Sequence, residues 1–239
     1  MLHNLFARLG LIPPSHPLFA ENWHHFKRLD QNLPLSAYEF VVFDTELTGL
    51  NRQRDEIVSI GAVRIRDLRI MVGDTFYVRV KPPKALPKDS TLIHRITPQQ
   101  IEEAPSLAAI LPSFISYCGR SLLVGHYVGL DVAFLNQACR RYYGAPVSNP
   151  CLDTMRLAQT YTEMQWRDYH DRFRMDLSFN LAALTSQYGL PRFTHHDAYE
   201  DALQTAYLFI FLVKKMHSQG IVTLKDLYNS GQAWRKIFY

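Results

Sequence analysis

The residues best suited to chemistry are carboxylates and a histidine in three short segments: Phe43-Asp44-Thr45-Glu46-Leu47-Thr48-Gly49-Leu50, the stretch from Gly125 to Leu135 around Asp131, and His195-His196-Asp197-Ala198-Tyr199-Glu200-Asp201-Ala202. Side chains two apart in a strand point the same way and lie roughly 6 to 7 Å apart, so Asp44 and Glu46 can grip one metal-ion cluster. Without a cation the two carboxylates repel. With 22 acidic residues in 239, about two such pairs arise by chance, so the spacing is weak until its context is added. That context is the apolar run Phe40 to Phe43 leading into hard oxygen donors and then Thr48-Gly49, where a glycine lets a ligand approach the backbone.

The other two segments also admit plain structural readings. Asp131 falls near the start of a predicted helix, where a cap or a first-turn anion would account for it. Asp197 and Glu200 stand three apart as in a capping box, which explains both without catalysis. Asp201 differs, because it sits in the apolar series Ala198, Ala202, Thr205 and Ala206, on the side expected to face a sheet. An unpaired buried charge is costly, so Asp201 needs a partner. His196 precedes it by five residues, an offset of about 140° on a helix, which puts the histidine in the preceding loop beside the carboxylate, in reach as a base.

These groups need a scaffold, and the pattern supplies one. Phe40 to Phe43 reads as a buried central strand, and Ile57 to Ile65 and Thr75 to Val80 as two more in an antiparallel meander. Thr97-Pro98-Gln99-Gln100 is a helix start, and Leu107, Ile110, Leu111, Phe114 and Ile115 follow as a helical stripe that Pro112 should kink. Leu122 to Val124 is a fourth strand, followed by a helix over 132–143 that Gly144 stops. A short strand near Cys151 leads to a helix from Thr154 capped by Asp153, and further helices span 179–188 and 198–217, stopped by Gly189 and Gly220. The order predicts an α/β protein with a mixed sheet, antiparallel meander plus parallel strands, and helices on both faces.

A chain of 239 residues with 47% hydrophobic content can bury one good core. We read residues 1–37 as a helical N-terminal extension, 38–217 as the main domain and 218–239 as a C-terminal helical tail. In the extension, Asn22 to Arg28 reads as a short amphipathic helix packed on the domain, with a partner or nucleic-acid contact as the other reading. Met1 to Ile12 is broken by Arg8 and followed by Pro13-Pro14, unlike a signal peptide, and no run reaches the length of a membrane span. Three cysteines without ligand or redox spacing imply neither a disulfide framework nor a zinc site, and point to a reducing, cytoplasmic compartment. The net charge of +4 suits a phosphate-rich ligand and equally many other enzymes. Gln204 to Phe209 lies inside the last apolar helix and reads as core.

Taken together the three segments resemble the DEDDh 3′→5′ exonuclease family, above all its members like the proofreading epsilon subunit of bacterial DNA polymerase III, over roughly residues 38 to 216. The family's Asp-x-Glu is matched by Asp44 and Glu46, the aspartate closing its second motif by Asp131, and His-x-Ala-x-x-Asp by His196, Ala198 and Asp201. All occur in the family's order, which makes the joint signal specific. Asp153-Thr154 and Leu92 to Thr97 look like further epsilon-like segments, whereas Leu47, His126 and Leu130 depart from the commonest residues.

The resemblance implies an RNase H-like fold and metal-dependent release of nucleoside 5′-monophosphates from 3′ ends. It implies two Mg²⁺ or Mn²⁺ ions held by Asp44, Glu46, Asp131 and Asp201, with His196 as general base. Leu47, Thr48, Gly49, Leu50 and His94 would contact the terminal nucleotide. The implied partner is a single-stranded or frayed 3′ end, DNA before RNA, with a DNA polymerase or repair protein alongside. Lys81, Lys84, Lys88, Arg52, Arg54 and Arg95 can track a phosphate backbone or be solvated basic loops. An RNA exonuclease of the same family and a catalytically silent nucleic-acid-binding module are the alternatives.

Overall fold

The central strand β1 (Phe40–Leu47) opens with four residues that are completely buried, as expected where helices cover both faces of a sheet. On one side it pairs antiparallel with β2 (Ile57–Arg66), which pairs antiparallel with β3 (Arg69–Arg79). On the other it pairs parallel with β4 (Leu122–Gly125), which pairs parallel with β5 (Cys151–Asp153). The strand order is β3-β2-β1-β4-β5. This computed structural model describes residues 13–166, 178–193 and 196–235. The apolar start Met1 to Ile12, His195 and the side chain of Lys88 lie outside the described residues.

The helices follow in the order α1 (Pro17–Phe26), α2 (Lys88–His94), α3 (Pro98–Ile101), α4 (Leu107–Cys118), α5 (Gly129–Tyr143), α6 (Thr154–Trp166), α7 (Leu181–Gln187), α8 (Ala198–His217) and α9 (Leu224–Arg235). Strand alternation splits the core between them. Phe40 and Val42 face a cluster built with Leu157 of α6, Leu184 of α7, Phe209 of α8 and Leu224 of α9. Val41 and Phe43 face the other, with Leu111 and Phe114 of α4, Leu135 of α5 and Phe19 of α1. Each such buried aliphatic or aromatic side chain contributes about 1.5 to 3 kcal/mol. The two flanks of the chain meet, since Leu35 N–H donates to Val222 O at 3.0 Å and Lys225 N–H to Gln31 O at 2.8 Å. No described helix is long and apolar enough to cross a membrane, and Cys118, Cys139 and Cys151 are free thiols.

Local expectations change at α3 and at the start of α5. Thr97 and Gln100 do form a capping box, but α3 ends after one turn, and the Leu107 stripe belongs to a separate helix capped by Ser106. Pro105 breaks the helical run, and Lys81 N–H donates to Pro105 O at 3.0 Å, tying this segment to the end of β3. Pro112 lies inside α4 without interrupting it. The Ala108 carbonyl that a residue at 112 would normally bond accepts the Tyr143 hydroxyl instead, so the missing N–H leaves no orphan. The predicted helix over 132–143 begins three residues earlier, at Gly129, which brings Asp131 into its first turn.

One contact positions α8. Gly61 of β2 lies opposite Asp44 of β1, and a Cβ at Gly61 would sit 2.2 Å from the Ala198 carbonyl carbon and from Tyr199 N. The first turn of α8 therefore rests on bare strand backbone. Gly61→Ala should lower stability by about 1 to 3 kcal/mol, the cost of overpacking. Gly73→Ala, where a Cβ meets nothing within 4 Å, should be neutral or slightly stabilising. Urea unfolding of both variants checks this, and equal midpoints would refute the close approach.

Candidate active site

Asp44 and Glu46 share the face of β1 that looks toward α8, and Asp201 stands in the first turns of that helix. Ligand oxygens of the three carboxylates lie within 4.8 Å of one another. Thr45, between the two strand carboxylates, points to the opposite face, where α5 lies. There Asp131 Oδ1 accepts the Thr45 N–H at 3.1 Å and the Thr45 hydroxyl. Asp131 is thus not a side-chain cap of α5, whose N-cap is Val128. Its carboxylate is bound across to β1, outside the threesome but near enough to raise Asp44's pKa.

Electrostatics define what this cluster wants. Burial first, and then the charges of Asp131, Asp201 and Glu46, hold the Asp44 carboxyl well above the usual carboxylate range. Burial and then Asp201 push Glu46 up to about 8. Burial pushes Asp131 to about 6, against the lowering effect of its bonds to Thr45. Hard oxygen donors that resist ionisation together are what a divalent cation relieves, so the donor set fits magnesium or manganese.

His196 occupies the turn before α8, as expected, with its side chain exposed and φ at +67°. Its main-chain N–H donates to Asp201 Oδ2 at 2.9 Å. Asp197 is the N-cap of α8, accepting from Tyr199 N at 3.0 Å and Glu200 N at 3.3 Å, as the capping reading required. It also accepts from the Tyr77 hydroxyl at 3.2 Å, a link from β3.

Among the expected nucleotide contacts, Leu50 is 76% exposed and Leu47 half-buried. Thr48 Oγ1 donates to Asp55 Oδ1 at 3.2 Å and accepts Glu56 N–H at 3.0 Å. Gly49 meets its own loop at close range. A Cβ there would lie 2.6 Å from Asp55 Oδ2, so the close approach that needs glycine is made by Asp55. His94 is buried, its Nδ1 accepts Ile96 N–H at 3.0 Å, and its Nε2 has no partner among the described residues. Burial lowers its pKa. His126 bridges Thr154 Oγ1 and Phe179 O, and burial pushes it down to about 4, a structural role.

Sequence reasoning missed Thr45, Gly61, Asp55 and Tyr77. Only Thr45 carried a signal, since a residue between two same-facing ligands must face the other way.

A five-stranded mixed sheet covered on both faces, with carboxylates gathered at the end of its central strand, defines a nuclease of RNase H-like fold. The profile of the family described as Exonuclease matches residues 41–209, and the chain belongs to that exonuclease family of hydrolases. It is 33% identical over 190 residues to the PolC-type DNA polymerase III of Thermotoga petrophila, covering 80% of this chain and 13% of the relative. It is 34% identical over 193 residues to a DNA polymerase III subunit epsilon-like protein of Rhodobacter capsulatus, covering 80% and 26%. The chain therefore spans only a minor part of these curated relatives. Its fold is shared with E. coli exonuclease I in complex with a dT13 oligonucleotide, at TM-score 0.64 and 19% identity over 76% of this chain and 42% of that one. Exonuclease X in complex with 5′ overhanging duplex DNA gives TM-score 0.57 and 23% identity, over 80% and 99%.

The raised carboxylates set a sign for pH. Glu46 has a folded value of about 8 against an ordinary 4.5, so its contribution is fully present below the lower value and is lost as pH rises through the higher one. In chelator, the melting temperature should fall from about pH 5 to about pH 8. Added magnesium should raise it more at the higher pH. Thermal melts in both buffers check this, and a chelator curve that climbs over the interval would contradict the electrostatic reading.

Proposed function

We propose that this chain is a 3′→5′ exonuclease domain that releases nucleoside 5′-monophosphates from DNA 3′ ends. The observation that carries the reading is the convergence of Asp44, Glu46 and Asp201 within 4.8 Å in a member of the exonuclease family. Asp44, Glu46 and Asp201 would hold one divalent ion, and Asp44 with Asp131, directly or through water, a second. Magnesium or manganese bound there supplies Lewis acidity and neutralises charge on the phosphate. Thr45 orients Asp131 through two bonds to one oxygen. His196, held in its turn by the Asp201 carboxylate, takes the proton of the attacking water.

Leu50 offers an exposed apolar surface to the terminal base, with Leu47, Thr48, Gly49 and the buried His94, whose Nε2 has no partner among the described residues, as the other proposed contacts. DNA as substrate is supported by the oligonucleotide complexes of the fold relatives. A DNA polymerase or repair protein as partner is supported by the PolC-type and epsilon-like relatives. We assign the reaction to residues 38–217, with the flanking helical segments as structural additions.

Asp44→Ala and Asp201→Ala should each abolish hydrolysis without unfolding the protein, because each removes a metal donor and relieves carboxylate repulsion. Near-normal turnover by either would sink the assignment. His196→Ala should cost about 10²- to 10⁴-fold in turnover with little change in metal affinity, and His195→Ala should cost little. If the two histidine variants exchanged behaviour, the base would be wrong. Matched single-stranded DNA and RNA with magnesium decide the substrate, and faster RNA degradation would reverse the preference.

A further inference from the structure

Beyond the carboxylates, the loop after β1 and the outward face of α5 enclose a cleft of about 490 Å³ lined by Asn51, Arg52, Gln53, Ala133, Gln137 and Arg140. Ala133, Gln137 and Arg140 are spaced four and three apart and so form one stripe, which covers about 10 Å of helix. The same stripe continues back to the exposed Leu130, next to Asp131. The other wall leads back through Leu50, Gly49 and Thr48 to Glu46. Both walls therefore begin at the site.

The cleft is built in advance. Asn51 Oδ1 accepts Gln53 N–H at 3.0 Å, and Asp55 Oδ2 accepts Asn51 N–H at 2.8 Å. An ion pair between Arg141 Nη1 and Glu56 Oε1 at 2.8 Å pins the end of the loop to α5. The lining offers two guanidinium groups and three amide side chains, with no carboxylate. Arg140 also suits the last turn of α5, where a cation favours the helix dipole, but Arg52 sits exposed in a loop and has no such reason. Guanidinium and amide groups lining one cleft, with no carboxylate among them, are donors suited to phosphate oxygens.

We infer that this cleft binds the phosphodiester backbone of the strand retained after each cut. The inference rests on the function proposed above and on the ion that Asp44 and Asp131 would hold standing on the side of the leaving 3′ oxygen. That oxygen belongs to the retained strand, and α5 leads from Asp131 into the cleft. Arg52 and Arg140 would then set affinity for longer strands without touching the bond being broken.

The test compares wild type with the double variant Arg52→Gln, Arg140→Gln, using a 5′-fluorescein oligothymidylate with calcium in place of magnesium and reading anisotropy. Loss of two phosphate contacts should weaken binding roughly tenfold or more at about 0.1 M salt and reduce the slope of log affinity against log salt by about 1.4. A nitrophenyl ester of thymidine 5′-monophosphate, which has no retained strand, should be hydrolysed with magnesium at the wild-type rate. Unchanged affinity and slope, with wild type still degrading the oligonucleotide, would overturn the cleft alone. Equal losses on oligonucleotide and ester would overturn it as well. If wild type neither bound nor cut the oligonucleotide, the exonuclease reading would fall and the cleft with it. Arg52→Gln alone, in an exposed loop, repeats the test should the double variant melt early.

Discussion

Mutual repulsion among Asp44, Glu46 and Asp201 is the constraint around which the rest of the structure is arranged. Withdrawn from water first and then crowded by one another, these carboxylates raise the energy of the folded state before any cation arrives, as the upward displacement of Asp44 and Glu46 records. The elements bearing them must therefore be stable for reasons that have nothing to do with the site. The completely buried first half of β1 and the long apolar face of α8 meet that requirement. Gly61 then allows the two to approach until backbone touches backbone. Cooperation between core and site is thus one-directional, with packing holding together groups that would otherwise part.

The sheet delivers its chemistry by parity. Asp44 and Glu46 go to one face and Thr45 to the other, so a three-residue run of one strand addresses two helices at once. On the α8 side it meets a third carboxylate. On the α5 side its hydroxyl and N–H seize Asp131. That second grip lowers the cost of ionising Asp131, opposing the burial that raises it, and explains why Asp131 remains apart from the tight threesome. Motif spacing in the chain is therefore a consequence of strand geometry and helix placement, each fixed by its own core cluster.

What was legible in the sequence was whatever depends on near neighbours. The parity of Asp44 and Glu46, the cap at Asp197, the αL stops at Gly144, Gly189 and Gly220, and the misfit of a carboxylate at 201 among apolar residues all follow from spacing. Asp131 was readable only through the family resemblance, because capping explains a lone aspartate at a helix start equally well. Gly61 and Asp55 left no local trace, since their roles lie in contacts with residues far along the chain or folded back across a loop. The partner of the carbonyl that Pro112 leaves orphaned was illegible for the same reason, since Tyr143 stands 35 residues from Ala108. Termination of α3 was legible in principle, since Pro105 and the capping Ser106 stand just beyond it.

Two strained turns join these themes. Tyr127 and His196 both adopt positive φ, at +52° and +67°, a conformation costing a non-glycine residue about 1 kcal/mol or more. Each stands shortly before a helix that carries a site carboxylate, and each donates its N–H to a carboxylate: Tyr127 to Asp153 Oδ1 at 3.1 Å and His196 to Asp201 Oδ2 at 2.9 Å. In the first turn the acceptor belongs to the neighbouring strand β5 and is not one of the three clustered carboxylates, although its charge reaches Asp131. In the second the acceptor is itself one of the three clustered carboxylates. Asp201 consequently serves two demands with one group, offering oxygen toward Asp44 and Glu46 while fixing the backbone of His196. An asparagine at 201 would keep an acceptor for the turn but lose the charge, whereas an alanine would lose both. Backbone geometry at His196, the proposed base, and charge of the cluster are thereby coupled through a single side chain, so that altering the five-residue spacing between His196 and Asp201 would disturb both.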